Sequence, residues 1–550
     1  MKPKLLYLSF ILLFSLFFTD CAKKGTPSGG ARDTIPPVIV RSVPENYSTN
    51  FSETEFKIYF DEYIKLNELQ KNLIISPPLK YTPVITPLST SKVLRVKILD
   101  TLKENTTYSF NFGKSIVDNN EANEFEYYKY IFSTGSYIDS LKLSGTIRDA
   151  EFNQPDGVTT VALYEANETF NDSLVLQEKP TYITTTPAGS NSFEFSNLKE
   201  GTYQLVALKD INNDYIFQPT NERIGFLSDV VTIPTDTSYT LTLSKEKTGY
   251  QINTPKQTSK NELIFGYQGN TDSLELELLS KVPSDYRSTL YKDVDKDTLH
   301  YWFKPAIEND SLIFLAKNKE ASDSLVVKMR DLYRDSLVIQ AINQTGLTLP
   351  DTLKLRANIP MTAINTERLK IIDKDSVTVK ASAGINLKNN TVAIIFPKEE
   401  EQTYEIKAFP GFITDFFEGT NDTLSYRIRT KATSDYGTLS LQLENVDTFP
   451  VIVQLVSEKF AVVKESVLTS ENSQVYFDFI NPAKYLLRVV FDTNKNSTWD
   501  PGNFLSRQAP ERIVYYPTIL EVKSNWSLNE TFILSQNNPD PVETEDDPEE

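Results

Sequence analysis

The chain has 550 residues, a formal charge of −18 and 39% apolar residues. That length spans several domains of about 100–150 residues each. The acidic surplus excludes nucleic acid as a partner, because phosphate binding needs clustered Lys and Arg. The single cysteine, Cys21, excludes an internal disulfide. The single histidine, His300, has neither an HExxH partner nor a free thiol for a zinc set or a nucleophile–base pair. A lone histidine of this kind reads as a packed or solvated side chain. A two-carboxylate glycosidase stays open, since it needs only Asp and Glu, and 74 acidic residues supply no means of choosing a pair.

The chain starts with Lys2 and Lys4 ahead of an apolar run from Leu5 to Phe18. That run is shorter than the ~20 residues of a membrane-spanning helix. It has the marks of a secretory signal peptide over residues 1–20. With Cys21 behind it, the segment resembles a bacterial lipoprotein signal. The resemblance implies a diacylglycerol thioether on Cys21 and a membrane as partner through that lipid. Phe18-Thr19-Asp20 departs from the Gly, Ala or Ser usual before such a cysteine. An ordinary secreted protein with an incidental cysteine is the other reading. Residues 21–34 are small, polar and glycine-rich, and read as a tether.

Beyond the tether, period-2 alternation dominates. Phe56, Ile58 and Phe60 alternate with Glu55, Lys57 and Tyr59, and Leu94, Val96 and Ile98 alternate with Arg95 and Lys97. Each set places apolar groups on one face of a strand. Short strands with turn signals between them predict antiparallel sandwiches. Glu62 to Leu73 reads as a helical turn or two.

Asp33-Thr34-Ile35-Pro36-Pro37, Ser42-Val43-Pro44, Ile58-Tyr59-Phe60-Asp61-Glu62, Thr107-Tyr108 after Leu102, Ile116-Val117-Asp118 and Phe132-Ser133-Thr134 follow one another in order. This series resembles the bacterial Ig-like domain named after the S-layer protein SbsA. It implies an extracytoplasmic sandwich over 35–137, used as a spacer or binding module. Residues 138–247 carry Phe193, Phe195, Asn197, Leu198, Gly201, Tyr203, Leu205 and Ala207. Their spacing resembles the transthyretin-like sandwich of carboxypeptidase regulatory domains.

Residues 248–345 are strand-rich without a specific pattern. Residues 346–434 echo the first domain: Gln402-Thr403-Tyr404 parallels Thr106-Thr107-Tyr108, and Ile413-Thr414-Asp415 parallels Ile116-Val117-Asp118. Residues 435–536 echo the second, with Val475 to Asp492 parallel to Phe193 to Asp210. Such self-similarity marks a modular chain. Residues 537–550 form an acidic tail expected to be disordered. The predicted fold class is all-β: tandem Ig-like and transthyretin-like sandwiches after a signal peptide.

The best chemical constellation occurs twice, at matching places. Asp210, Asn212 and Asp214 follow a strand in one copy; Asp492, Asn494, Asn496 and Asp500 follow it in the other. Oxygen ligands at alternate positions of a tight loop suit calcium, and the second set fits positions 1, 3, 5 and 9 of such a loop. Neither copy has Gly at position 6 or Glu at position 12. Asp and Asn capping a loop by Asx turns is the alternative.

Asp-Ser/Thr-Leu recurs, for example at Asp139-Ser140-Leu141, Asp323-Ser324-Leu325 and Asp422-Thr423-Leu424. It serves as turn-to-strand punctuation or resembles a bacterial periplasmic O-glycosylation acceptor. Tyr127-Tyr128 with Tyr130, and Tyr515-Tyr516, are candidates for stacking on sugars, or else pack in the sheets.

The whole predicts a non-catalytic, lipid-anchored scaffold of a Gram-negative envelope, most simply on the outer membrane. Its partner would be an envelope protein or a glycan. A two-carboxylate carbohydrate enzyme and a subunit of an envelope assembly are the alternatives.

Overall fold

The computed structural model describes residues 33–152, 157–271, 273–319, 321–470 and 474–534. The expected signal peptide, Cys21, most of the expected tether and the acidic tail lie outside them. Among the described residues the regular secondary structure is almost entirely β-strand, and by compactness the chain divides into two units. One runs to Lys142 with the short pieces 181–183 and 196–199, and the other holds the rest.

The first unit is a sandwich. One sheet orders Ile39–Val43, Glu55–Leu66, Ser91–Lys97 and Val84–Thr86, with Ile116–Asp118 also on Glu55–Leu66. The facing sheet is Ile74–Ser76, Thr107–Asn111 and Lys129–Ser133. Alternation along Glu55–Leu66 buries Phe56, Ile58, Phe60 and Ile64. Phe56 stacks on Tyr130 at 3.9 Å between centroids, within a core that also holds Phe110, Phe112 and Phe132. Each such ring stabilises the fold by about 1.5–3 kcal/mol through burial. No disulfide assists. The expected helix over Glu62–Leu73 shrinks to one turn, Leu69–Asn72, because the strand continues to Leu66. Pairing of Ile64 to Leu66 with Ile116 to Asp118 captures those residues for the sheet.

Among the described residues four further sandwiches follow, in the second unit apart from residues 141–142, 181–183 and 196–199. In the fourth, Ile339–Ala341, Leu353–Ala357, Thr391–Ile395 and Ser382–Asn386 form one sheet, and Thr378–Val379, Leu369–Ile372, Thr403–Ala408 and Leu424–Arg429 form the other. Strand Ile339–Ala341 pairs with Leu353–Ala357, so this sandwich begins before residue 346. Its order repeats the first sandwich, with the long Glu55–Leu66 strand replaced by Leu353–Ala357 and Met361–Ile364. The likeness extends to atoms. The Tyr108 hydroxyl accepts the Lys103 amide at 2.9 Å, and the Tyr404 hydroxyl accepts the Glu399 amide at 2.7 Å. The Thr134 and Thr430 hydroxyls donate to the carbonyls of those same two residues, at 2.7 and 2.6 Å.

The second and fifth sandwiches repeat each other strand for strand. One has a three-stranded sheet of Ser192–Leu198, Leu141–Asp149 and Ser238–Leu243; the other has Gln474–Ile480, Gly437–Glu444 and Ser527–Ile533. In both, the last strand of the domain pairs parallel with the first. Gly145 lies at that close pairing, where a Cβ would come within 2.1 Å of the Tyr239 carbonyl. The facing sheets centre on Gly201–Leu208 and Ala483–Phe491. The third sandwich pairs a sheet built on Glu262–Gln268, Thr298–Lys304 and Arg287–Lys292 with Glu275–Leu278, Ser311–Lys317 and Ser322–Lys328. Phe265, Phe303 and Phe314 fill it.

Gly201–Leu208 and Ala483–Phe491 are buried on both faces along most of their length, as central strands are when both sides of a sheet are covered. In the fifth sandwich the outer cover includes the second. Arg488 Nη1 donates to the Glu151 carbonyl at 2.9 Å, the Tyr515 hydroxyl donates to the same oxygen, and Phe152 meets Phe460 edge-on at 5.0 Å.

Candidate functional site

The loop after Gly201–Leu208 is organised by two carboxylates. Asp210 accepts the amides of Asp214 and Tyr215 at 3.3 and 3.0 Å. Buried Glu222 accepts those of Ile211 and Gln218 at 3.0 and 2.9 Å. Burial raises both carboxyls above the ordinary range, against the amides that lower them. Asn212 donates to the Gln218 side chain at 2.6 Å, and Gln218 to Asp214 at 2.9 Å. The side chains at positions 3, 5 and 9 thus converge.

The loop after Ala483–Phe491 has the same build. Asp492 accepts the amides of Asn496 and Ser497 at 3.0 and 2.8 Å. Glu511 accepts those of Thr493 and Asp500 at 2.7 and 3.0 Å. Asn496 Nδ2 donates to Asp500 at 2.5 Å, and Asn494 Nδ2 donates to the same oxygen. Positions 4 and 6 are left-handed in both copies: φ is 56° and 65° at Asn213 and Tyr215, and 63° and 62° at Lys495 and Ser497. Calcium loops of the EF-hand type use Gly for the turn at position 6. Here the turn forms with Tyr and Ser, against the steric preference of L-residues.

Asp210, Asn212, Asp214, Asp492, Asn494, Asn496 and Asp500, the residues singled out in the sequence as calcium ligands or Asx caps, each lie in these two loops. Gln218, Glu222 and Glu511 were not singled out. The signal was available: Glu222-Arg223-Ile224 and Glu511-Arg512-Ile513 are the same tripeptide at the entrance of matching strands. The arginines also match, since Arg223 pairs with Asp149 at 2.7 Å and Arg512 with Asp447 at 2.7 Å.

These donors are hard oxygens and amides, a set suited to calcium rather than to zinc. Among the described residues, no three His, Cys, Asp or Glu side chains group as a metal site. Any cation would therefore rely on the Asn and Gln oxygens, with those amides turned from their present hydrogen bonds. In the second loop, Lys247 of the second sandwich already bonds Asp500. Burial alone would raise the Asp500 carboxyl, but Lys247, Asn494 and Asn496 together hold it below the ordinary range.

The second loop is also a clasp. Beyond Asp500 the chain carries Phe504 and Arg507 onto the second sandwich. Phe504 meets Phe226 edge-on at 5.2 Å, and its amide donates to Glu246. Arg507 forks onto Asp172, with Nε to Oδ2 at 2.8 Å, and Nη1 reaches Gln204 at 2.6 Å. Among the described residues, the first loop's hydrogen bonds stay within its own sandwich.

Packing in the sheets takes up most of the sugar-stacking candidates. Tyr130 belongs to the first core, Tyr515 is buried against the second sandwich, and Tyr516 is partly buried with its hydroxyl donating to Glu530 at 2.6 Å. Tyr128 is half-buried, and of the five Tyr127 alone is exposed. Of the Asp-Ser/Thr-Leu hydroxyls, those of Thr101, Ser140, Ser324, Ser336 and Thr423 belong to exposed residues. Several of the leucines, including Leu299, Leu312, Leu325 and Leu353, are buried in the strands they enter. His300 is paired on both ring nitrogens, within a cleft described below.

Residues 33–134 match the bacterial Ig-like domain family. No curated protein matches the chain. Among solved structures, domains 1–6 of the surface layer protein SbsC align over 88% of this chain and 66% of that one, at 14% identity and a TM-score of 0.15. The chain thus spans just under two thirds of that structure. The Bacillus anthracis TIE protein aligns over 92% of this chain and 75% of its own, at 11% identity and a TM-score of 0.14. The major pilin subunit of Bacillus cereus aligns over 72% of this chain and 99% of its own, at 11% identity and a TM-score of 0.14.

Proposed function

We propose that this protein is a non-catalytic scaffold of the bacterial cell envelope, anchored by a lipid on Cys21 and presenting a string of β-sandwiches. The observation that carries the reading is the bacterial Ig-like domain at 33–134 followed by a second copy of its topology and a duplicated sandwich of another type. A chain built by repeating sandwiches devotes its residues to cores and junctions. Glu262 and Asp293, two acids lining the cleft beside the third sandwich, are both tied to His300. Asp293 is desolvated, yet backbone amides and His300 hold its carboxyl low, which is the wrong direction for a general acid. The outer membrane is the proposed location, and an envelope protein or glycan the proposed partner.

A second reading concerns the paired loops. The left-handed positions 4 and 6, with positions 3, 5 and 9 converging, favour calcium as a structural ion at Asp210, Asn212, Asp214 and Gln218, and at Asp492, Asn494, Asn496 and Asp500.

The test of the scaffold reading is expression with the native leader, wild type against Cys21→Ser, followed by fractionation and intact mass. A diacyl or triacyl increment on Cys21, and membrane association lost in the variant, support it. A soluble wild-type protein whose N-terminus lies beyond Cys21 overturns the anchor. The same mass spectrum reads hexose increments at the exposed Asp-Ser/Thr-Leu sites.

A further inference from the structure

The third and fourth sandwiches meet around the chain's only histidine. His300 lies in strand Thr298–Lys304, opposite Ile264 on one neighbour and Tyr291 on the other. Its ring stacks on Tyr291 at 4.7 Å and 6°. Nδ1 is 2.6 Å from Glu262 Oε1, and Nε2 is 3.2 Å from Asp293 Oδ2. A neutral imidazole has one N–H and can serve one of these carboxylates; the imidazolium serves both.

Asp293 also shapes the turn that follows. Its Oδ1 accepts the amides of Asp295 and Lys296 at 2.7 and 3.0 Å. That turn presents Asp295 to Arg356 in strand Leu353–Ala357 of the fourth sandwich. Beside it, the Tyr291 hydroxyl donates to the Asn358 carbonyl at 2.9 Å, and the Lys292 amide to the Lys388 carbonyl at 2.8 Å. A cleft of about 360 Å³ opens at this junction, and His300 retains 18% side-chain exposure, so protons can reach the ring.

We propose that His300 is a proton-operated pin of this junction: as imidazolium it ties Glu262 to Asp293 and steadies the 293–296 turn against Arg356, and on losing its proton it frees one carboxylate and loosens the turn. The charged and titratable groups around the cleft are Glu262, Tyr291, Asp293, Asp295, Lys296, Asp335 and Arg356. Four carboxylates face two fixed cations, so the local charge favours a protonated ring. Burial opposes the charged ring, but Glu262 and then Asp293 outweigh it and hold His300 above its ordinary value of 6.5. Asp335 is pushed up by burial and by the charge of Glu262. The sign follows from linkage. With the folded value raised, the contribution is complete below pH 6.5 and is lost as pH rises through the folded value.

The experiment uses the full chain with its histidine isotopically labelled. One histidine gives one imidazole resonance, titrated from about pH 5 to about pH 9, around the ordinary histidine value. Amide exchange at Asp295 and Lys296 is followed over the same range. The pin requires a midpoint above 6.5 and a drop in protection, measured against the base-catalysed rate of an unstructured amide at each pH, through that midpoint. His300→Gln should abolish the pH step in exchange, and Asp293→Asn should move the midpoint down. A wild-type midpoint at or below 6.5 overturns the proposal, as does the same exchange step persisting in His300→Gln. Should either variant fail to fold, the wild-type titration and exchange decide alone.

Discussion

Glu511 Oε2 accepts the backbone amide of Asp500 at 3.0 Å, and Glu222 Oε2 accepts that of Gln218 at 2.9 Å. The partner oxygens, Glu511 Oε1 and Glu222 Oε1, take the amides of Thr493 and Ile211. The same two atoms thus close the same loop twice. A loop whose amides turn inward needs a buried acceptor, since an unpaired amide costs about 1–3 kcal/mol. Glu511→Gln and Glu222→Gln each replace one acceptor with an NH2 group facing an N–H. Each should lose about 1–3 kcal/mol, read from the urea midpoint of the full chain. A midpoint unchanged in both would remove the glutamates from the account of these loops.

Calcium should stabilise the chain if the converging amides turn their oxygens inward. At a hundred-fold excess over the dissociation constant, the gain is about 2.7 kcal/mol. Lys247 competes for Asp500, so Lys247→Met should tighten binding at the second loop. Asn494→Ala should weaken it, and Asn212→Ala should do so at the first. Calorimetric titration of calcium into chelator-treated protein reads all of these. No heat and no thermal shift in either the wild type or Lys247→Met would overturn the calcium reading of both loops.

The clasp has its own signature. Arg507 is partly exposed, so its ion pair with Asp172 is screened. Its further bond to Gln204, a side chain buried in the second sandwich, raises the cost of removal. Arg507→Ala should cost about 1–3 kcal/mol locally. Amide exchange should rise in strand Ile224–Phe226 and around Phe504, while the first sandwich is unaffected. Uniform exchange everywhere, or none gained at Ile224–Phe226, would contradict a clasp at this point.

Asp118 sets an acid limit for the first sandwich. Buried in strand Ile116–Asp118, it accepts the amides of Asn120, Glu121 and Asn123 at 2.7, 2.8 and 2.7 Å. Burial pushes its carboxyl up, but these amides win and hold it below the ordinary 3.8. With the folded value depressed, its stabilisation is present above pH 3.8 and disappears as pH falls through the folded value. Asp118→Asn should flatten that acid limb and lower stability at neutral pH, both visible in near-ultraviolet circular dichroism during acid titration. An unchanged acid limb in Asp118→Asn would assign it to other carboxylates.

The fold class was legible because sheet burial writes itself into the chain at period 2. Phe56, Ile58 and Phe60 face one core whatever they meet there. The repeats were legible for the same reason: Tyr108 and Tyr404, or Phe193 and Val475, keep their place because each copy solves the same packing problem alone. The roles of Asp210 and Asp492 as loop organisers were legible too, since Asp to amide contacts four and five residues on are local. What only the tertiary structure decided were meetings between residues far apart in sequence. Glu511 reaches back 18 residues to Thr493, Arg507 reaches back 335 to Asp172, and His300 reaches back 38 to Glu262. Nothing in a hairpin loop's composition says that another sandwich will cover it, and nothing in Asp-Thr-Leu-His says that two carboxylates await the ring. Periodicity records which side of a strand is buried; it carries no record of the partner, because burial against any apolar surface has the same free energy per unit area.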